Sequence, residues 1–378
     1  MKLILFACLF FTSASFCQKI YINNIDATGN TDVTEKLNAF FKNAVPDGAV
    51  VHFVKDGMYK MDGVLLLTGR KNITIEGNGA TLFAVTDGMN VLPPEVTEFH
   101  HQWPRKRSQV AFRGGENIRI NNIIIKGGST VAGLSPAAYN PKFEAQHGLD
   151  VEGVSGITIT NVRVSDVWGD FVYLGRWSAG DASWTRDVIV RDCHFERNGR
   201  QGIALVGASN VLIENNYLRN TRRSTFDLEP DDGSTGSRNI IIRNNIIGPG
   251  ILLFIASGGQ PALIENVTIE NNKLVGKTMN MTIYAARGSV KKNWRIVNNI
   301  GDSTQAFDSP IALMNFGRIE GLEVIGNTSS ITSRTDAIAL EEVCGYRIEN
   351  NIFTTPRKEI KNIRSSENCV SKTRHEDF

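Results

Sequence analysis

One phrase recurs along this chain of 378 residues and constrains its fold more than its composition does. An Asn or a small residue opens the phrase, an apolar–x–apolar strand follows, and a pair of Asn often closes it. It reads "NITIEGN" from Asn72, "NIRINN" from Asn117, "GITITN" from Gly156 and "DVIVRDC" from Asp187. It continues as "NVLIENN" from Asn210, "NIIIRNN" from Asn239, "NVTIENN" from Asn266 and "NWRIVNN" from Asn293, then "GLEVIGN" from Gly321 and "GYRIENN" from Gly345. The anchors Val190, Ile213, Ile242, Ile269, Ile296, Val324 and Ile348 fall 23 to 29 residues apart. That period is too short for a four-stranded propeller blade and lacks the Leu-rich consensus of horseshoe repeats, and no helical period is sustained after residue 45. It suits one turn of a parallel β-solenoid with three short strands per coil, roughly ten coils in all.

The second Asn of each pair, Asn216, Asn245, Asn272, Asn299, Asn327 and Asn351, keeps one phase of the repeat. Asn tolerates the left-handed backbone that a sharp corner needs. Stacked at about 4.8 Å, its amides can hydrogen-bond from coil to coil. These residues are therefore assigned to structural corners, with Ile123, Val162 and Cys193 in the same slot of earlier coils.

A second phase precedes each anchor strand. It reads "HGLDVEG" from His147, "DFVYLG" from Asp170, "QGIALVG" from Gln201 and "STFDLEP" from Ser224, with later members from Pro310 and Ala337. The two-residue period turns Leu149/Val151, Val172/Leu174, Ile203/Leu205 and Phe226/Leu228 inward. The same period turns Asp150/Glu152, Phe171/Tyr173, Gly202/Ala204 and Asp227/Glu229 outward, onto a face expected to be wet.

The ends carry different signals. Lys2, an apolar run from Leu3 to Phe11 and small residues up to Cys17 read as a secretory signal over 1–17. The run is too short to span a membrane, and Phe16 disfavours Cys17 as a lipidated residue. A secreted or periplasmic protein is expected. Residues 18–62 read as a cap, with an amphipathic helix over 27–44, Asp32 as its N-cap and Glu35 closing a capping box. Such a helix would plug the open end of the solenoid, which spans 63–355 and is followed by a tail over 356–378. Cys344 and Cys369 can bridge to pin that tail, leaving Cys193 as a small buried apolar residue. With 41 Lys and Arg against 39 Asp and Glu, no concentrated basic face points to nucleic acid.

The cap helix, the strand near "VVHFVKDGMY" and "NITIEGNGATL" over 72–82 resemble the opening of the pectin-lyase-like, single-stranded right-handed parallel β-helices, nearest the pectate-lyase, rhamnogalacturonase and epimerase branch. The resemblance covers about residues 20–355 as architecture. It implies an all-β, three-sheet right-handed helix whose "GIAL"-type strands form the first sheet, with the substrate groove on that sheet's outer face. The superfamily houses hydrolases, lyases, epimerases and non-catalytic tails. The "GDD" and "GHG" signatures of polygalacturonase-like hydrolases and the "DPH" of mannuronan epimerases are missing, and the sole "NTD" (Asn30–Asp32) lies in the cap, so no catalytic set carries over.

Four connections swell, at 86–109, 126–146, 175–186 and 230–238, and would wall that groove. They and the adjoining strands hold His100, His101, Trp103, Tyr139, Phe143, Trp168, Trp177 and Trp184, aromatic faces suited to sugar rings. Asp227 and Glu229, two apart on one strand, should lie about 6.6 Å apart, close enough to split the roles of acid and base or nucleophile. Asp150 and Glu152 occupy the same phase three coils earlier, Tyr173 stands next to Asp150, and Gly202 with Ala204 should leave a floor for a sugar. Arg105–Lys106–Arg107, Arg176, Arg200, Arg222, Arg223 and Arg287 would recognise carboxylates, which points to a uronate glycan.

A monomeric secreted glycoside hydrolase on an acidic polysaccharide or oligosaccharide is the expected function. Asp227, Glu229, Asp150 and Tyr173 would be catalytic, and Glu152, Trp168, Arg176, Trp177, Trp184, Arg200, Arg222, Arg223 and Asp232 would bind substrate. Hydrolysis requires no cofactor. The alternatives are a lyase or C5-epimerase, with Arg200, Tyr173 or His147 abstracting a proton and Asp231 and Asp232 holding calcium, or a non-catalytic glycan-binding solenoid.

Overall fold

The structure, a computed structural model, describes residues 18–88, 107–177, 183–230, 233–256, 262–276, 280–284, 290–302, 312–332, 334–354 and 356–369. Residues 1–17 with Cys17, and His100, His101, Trp103, Arg105, Lys106, Asp231, Asp232 and Arg287, lie outside the described residues. Three parallel sheets run the length of the chain. Sheet I has 11 strands, from Leu65–Thr68 to Ile360–Ile363. Sheet II has 12, from Lys19–Tyr21 to Cys344–Glu349, and sheet III has 12, from Thr28–Asp32 to Ile352–Thr354. Each coil visits sheets I, II and III in turn, so neighbours in every sheet are one coil apart.

The repeat sets the register. Ile120, Ile159, Val190, Ile213, Ile242, Ile269, Ile296 and Val324 pair one above the next through sheet II, and all are buried. A shift of one residue would turn the whole apolar column to solvent, which is why the register holds over so many coils. The rung number exceeds the roughly ten expected because the strands Lys19–Tyr21, Thr28–Asp32, Val50–His52 and Met58–Lys60 join sheets II and III, and Ile360–Ile363 extends sheet I.

The corners divide the work of each Asn pair. The left-handed backbone falls on the first Asn, with φ of 56° at Asn215, 54° at Asn244 and 55° at Asn271, and not on the second as expected. The second Asn builds the ladder: Asn245 donates its amide to Asn272 Oδ1 at 2.9 Å and to the Ile213 carbonyl at 3.0 Å. Its own oxygen accepts from the Asn216 backbone N–H at 2.9 Å and side-chain amide at 3.0 Å. Every polar atom of these buried side chains is satisfied, which burial demands. Cys193 takes the same slot one coil before Asn216, and its N–H donates to Asn216 Oδ1 at 2.9 Å.

The cap helix spans Thr34–Asn43, shorter than 27–44, because Thr28–Asp32 is drawn into sheet III beside Met58–Lys60. Leu37 and Phe41 face the core. Val33 occupies the N-cap position, and no capping box forms. Asp32 acts one residue earlier, accepting from the Thr34 N–H at 2.9 Å and from its hydroxyl at 2.6 Å. Arg70 closes the other end, donating to the carbonyls of Phe41 at 2.7 Å and Val45 at 2.6 Å. At the C-terminal end Cys344 and Cys369 form a disulfide, and Cys193 is free and buried, both as expected.

Candidate active site on sheet I

The outward column of sheet I runs Ala111, Asp150, Tyr173, Ala204, Asp227, Ile255 and Thr282, each paired with the next. Between these outward positions Phe112, Val151, Leu174, Leu205 and Leu228 fill the core. The alternation therefore holds for the acids, but the face is not wet. Asp150 is 0% exposed and Asp227 1%, and Glu152 is buried too. Side segments fold over the strands and remove water: Ser108, which donates to the Ala145 carbonyl, and the connection carrying Tyr139, Glu144 and His147 beside it. Phe171 departs from the outward assignment. It lies before the strand Val172–Gly175 and turns into the core, stacked on Phe195.

The first acid pair is neutralised by a residue that the sequence pattern did not single out. Arg113 Nη2 meets Asp150 Oδ2 at 2.7 Å and Glu152 Oε1 at 3.7 Å, and Ser108 donates its hydroxyl to Asp150 Oδ2 at 3.0 Å. Burial works to deprotonate Arg113, and the charges of Asp150 and Glu152 outweigh it, holding the guanidinium above its usual range. Arg113 lies 5.8 Å over the half-buried Trp177 ring. Tyr173 packs across Gly175, where an added Cβ would meet its Cε1 at 2.6 Å, and stacks on His147 with centroids 4.8 Å apart.

The second pair is built differently. Asp227 lies in the buried run Ser224–Leu228 of the strand Thr221–Leu228, and among the described residues no cation or N–H donor reaches either of its carboxyl oxygens. Burial first, and the charge of neighbouring Glu229 second, push the Asp227 carboxyl well above the ordinary carboxylate range. Glu229 lies past the strand end with its side chain 45% exposed, 3.4 Å from Arg200 Nη2. Arg200 Nη1 meets Asp170 Oδ2 at 2.9 Å, and its Nε lies 3.5 Å from Glu144 Oε2. Asp170 is wholly buried, and that burial raises its carboxyl to about 6 against the opposing pull of Arg200 and the Gln201 N–H. His147 joins the two clusters: Nδ1 accepts from the Asp170 N–H at 3.0 Å and lies 3.4 Å from its carboxylate, while the ring stacks on Tyr173.

Several expected binding residues have other duties. Trp184 is buried, its indole N–H donates to the Ser234 carbonyl at 2.9 Å, and Arg238 lies 4.7 Å over its ring. It is a packing residue of the connection and not a sugar platform. Arg176 bonds Ser234 Oγ and bridges Trp184. Trp168 packs on Phe143 with centroids 5.1 Å apart. Arg200 cannot serve as a proton abstractor: burial disfavours its charge, the surrounding carboxylates outweigh that, and its proton affinity rises. His147 already uses Nδ1 as an acceptor. Gly202 does not open a sugar floor, because a Cβ there would meet the Thr225 carbonyl at 2.2 Å; close approach of the next coil requires the glycine. Arg223 is exposed and lies 5.3 Å over the Tyr139 ring, and Arg222 is half-buried. Neither pairs with a carboxylate among the described residues.

Three residues of the site, Arg113, Asp170 and Glu144, went unassigned from the sequence. Arg113 had a signal: "VAFR" is the same strand phase one coil before "LDVE". Asp170 opens a phrase of the repeat, but nothing local marks it as buried. Among the described residues no group of three or more His, Cys, Asp or Glu is arranged to hold a metal ion. An open cleft lies elsewhere, along the exposed corner amides Asn122, Asn161, Asn215 and Asn244. Those amides are solvated and cost nothing to leave, whereas an unpartnered buried carboxyl is expensive, so the site is placed at Asp227.

A family profile described as a right handed beta helix region matches residues 145–300. A Yersinia enterocolitica family 28 exopolygalacturonase superposes with a TM-score of 0.64 at 13% identity, over 94% of this chain and 78% of that one. The chain folds as a right-handed parallel β-helix. A tailspike mutant of E. coli bacteriophage HK620, in complex with a pentasaccharide, is similar at a TM-score of 0.60 and 14% identity, over 90% of this β-helix and 61% of the tailspike. In sequence, the uncharacterized protein YclG of Bacillus subtilis is 25% identical over 194 residues, which is 49% of this chain and 32% of that protein. The chain thus spans about a third of this curated relative's length. No helix among the described residues is long and apolar enough to cross a membrane.

Proposed function

We propose that this β-helix is an exported enzyme that hydrolyses a uronate-containing polysaccharide, with Asp227 as general acid and Glu229 as its base or nucleophile. The observation that carries the reading is an asymmetry at the end of one strand. Asp227 is buried, takes no bond from a cation among the described residues and is raised in pKa, while Glu229, two residues on, is half-exposed and paired with Arg200. Two carboxyls whose surroundings push their protonation apart are what glycoside hydrolysis needs, one to protonate the leaving oxygen and one to act on the sugar or on water. Arg222 and Arg223, at the head of the same strand, would be the cations that meet a uronate carboxylate. The half-buried Trp177 and Tyr173 rings lie on the Asp150 side. The disulfide fits the oxidising destination that an exported enzyme would reach.

The test is a reducing-sugar assay across acidic polysaccharides, read together with absorbance of unsaturated uronates. Reducing ends without that absorbance, lost in Asp227→Asn and Glu229→Gln, are expected. Growth of the absorbance would replace hydrolysis by elimination. Retention of full activity by both variants would remove the pair from the chemistry, and binding without cleavage by the wild type would make the protein a glycan-holding solenoid.

A further inference from the structure

We propose that Arg200 is a positioning residue, tying Asp170, Glu229 and Glu144 around Asp227 and setting how readily Asp227 parts with its proton. This rests on the reading of Asp227 as the acid. Arg200 precedes the strand Ile203–Leu205, and its guanidinium reaches carboxylates from three separate segments. Asp170 comes from the coil before at 2.9 Å, Glu229 from the coil after at 3.4 Å, and Glu144 from the covering connection at 3.5 Å. The guanidinium is largely buried, so these contacts act with little screening.

Four acids thus share one cation. Asp170, Glu229 and Glu144 take its contacts, and Asp227, whose strand pairs with the strand that Arg200 leads, feels its charge but receives no hydrogen bond from it. The groups behind them are fixed as well: His147 beside Asp170, the Tyr139 hydroxyl donating to Glu144 Oε2 at 2.8 Å, and Arg223 over the Tyr139 ring. Two further guanidinium groups are spent elsewhere, Arg113 on Asp150 and Glu152, and the buried Arg107 on the Thr86 carbonyl and Gln146. Asp227 is accordingly the carboxyl on which the cluster leaves its proton, and Arg200 is the counterweight that keeps the proton from being held too tightly. Glu144 tunes this from the covering connection, because each carboxylate on Arg200 cancels part of its charge.

The proposal gives two variants of opposite sign. Carboxyl 13C NMR titration of the full folded chain, with Asp227 assigned by comparison with Asp227→Asn, reads the result without any substrate. Arg200→Gln should raise the Asp227 midpoint by at least one pH unit, a tenfold tighter hold on the proton, and Arg200→Lys should return most of the shift. Glu144→Gln, on the covering connection, should lower the midpoint. An unmoved midpoint in both Arg200→Gln and Glu144→Gln would overturn the proposal, as would a shift that Arg200→Lys fails to reduce. If Arg200→Gln does not fold, the direction of the Glu144→Gln shift decides alone. The failure of the hydrolase reading would look different: Asp227→Asn would stay active while these midpoints still moved.

Discussion

Asp150 with Glu152 and Asp227 with Glu229 occupy equivalent outward positions of one sheet, three strands apart, yet they have become different devices. Arg113 bonds Asp150 at 2.7 Å, and the pair is compensated charge in a dry wall. Among the described residues no cation bonds Asp227, and burial with the charge of Glu229 pushes its carboxyl well above the ordinary range. The solenoid supplies identical backbone geometry at both places, so the difference comes from which guanidinium arrives and where it points. In a repeat fold, chemistry is decided by the side chains that fold over the sheet and not by the strand pattern.

The largest expected effect separates the pairs by activity. Asp227→Asn should lower kcat by about 10²- to 10⁴-fold, the range for losing a general acid. Asp150→Asn should lose under about tenfold in the same assay, a difference of at least one decade by that measure. Equal losses would make the two pairs one site.

Stability should separate them in the opposite sense. Asp150→Asn leaves Arg113 with a weakened partner in a buried wall and should cost up to about 3–5 kcal/mol in urea unfolding. Asp227→Asn removes a carboxyl whose ionised form is disfavoured by burial, so at neutral pH it should leave stability unchanged or raise it. A large loss from Asp227→Asn would mean that Asp227 is a partner in the fold.

The pH dependence of stability is a third, smaller contrast. Asp170, raised from 3.8 to about 6, contributes stability that is complete below its unfolded value and is lost as pH rises through about 6. Asp227 has the same sign. Glu323 and Asp336, held low first by hydrogen bonds from Arg295 and Arg357 respectively, contribute stability that is lost as pH falls. Urea midpoints of the wild type and Asp227→Asn across pH 4 to 8 should therefore converge toward acid and part toward neutral. Parallel curves would contradict the raised Asp227.

The smallest effect concerns the substrate. Arg222→Gln and Arg223→Gln should each raise KM for a uronate polymer by up to about fivefold, the worth of a surface ion pair, and salt should mask the change. No change at low salt would remove the uronate assignment while leaving the acid pair untouched.

Much of this was legible in the sequence. The spacing of Val190, Ile213 and Ile242 yields the solenoid, and the two-residue period puts Asp150, Tyr173 and Asp227 in one column, as observed. Burial was not legible, because it depends on segments distant in sequence, such as Glu144 and Ser108, closing over the strands. Arg200 was visible as a cation, but its three partners come from residues 144, 170 and 229 and meet only once the coils stack. Trp184 misled for a related reason: an aromatic on a long connection is as able to pin that connection to Ser234 as to face a sugar. The Asn pairs were read correctly as corners, although the strained backbone belongs to Asn215 and Asn244 while Asn216 and Asn245 make the ladder.

The most direct test is the infrared difference between the wild type and Asp227→Asn in the protonated-carboxyl region, followed through a pH titration. A band present in the wild type, missing from the variant and persisting well above the ordinary carboxylate range is expected. If the wild type shows no such band above that range, Asp227 is ionised like an ordinary carboxylate despite its burial, and the distinction between the two pairs fails.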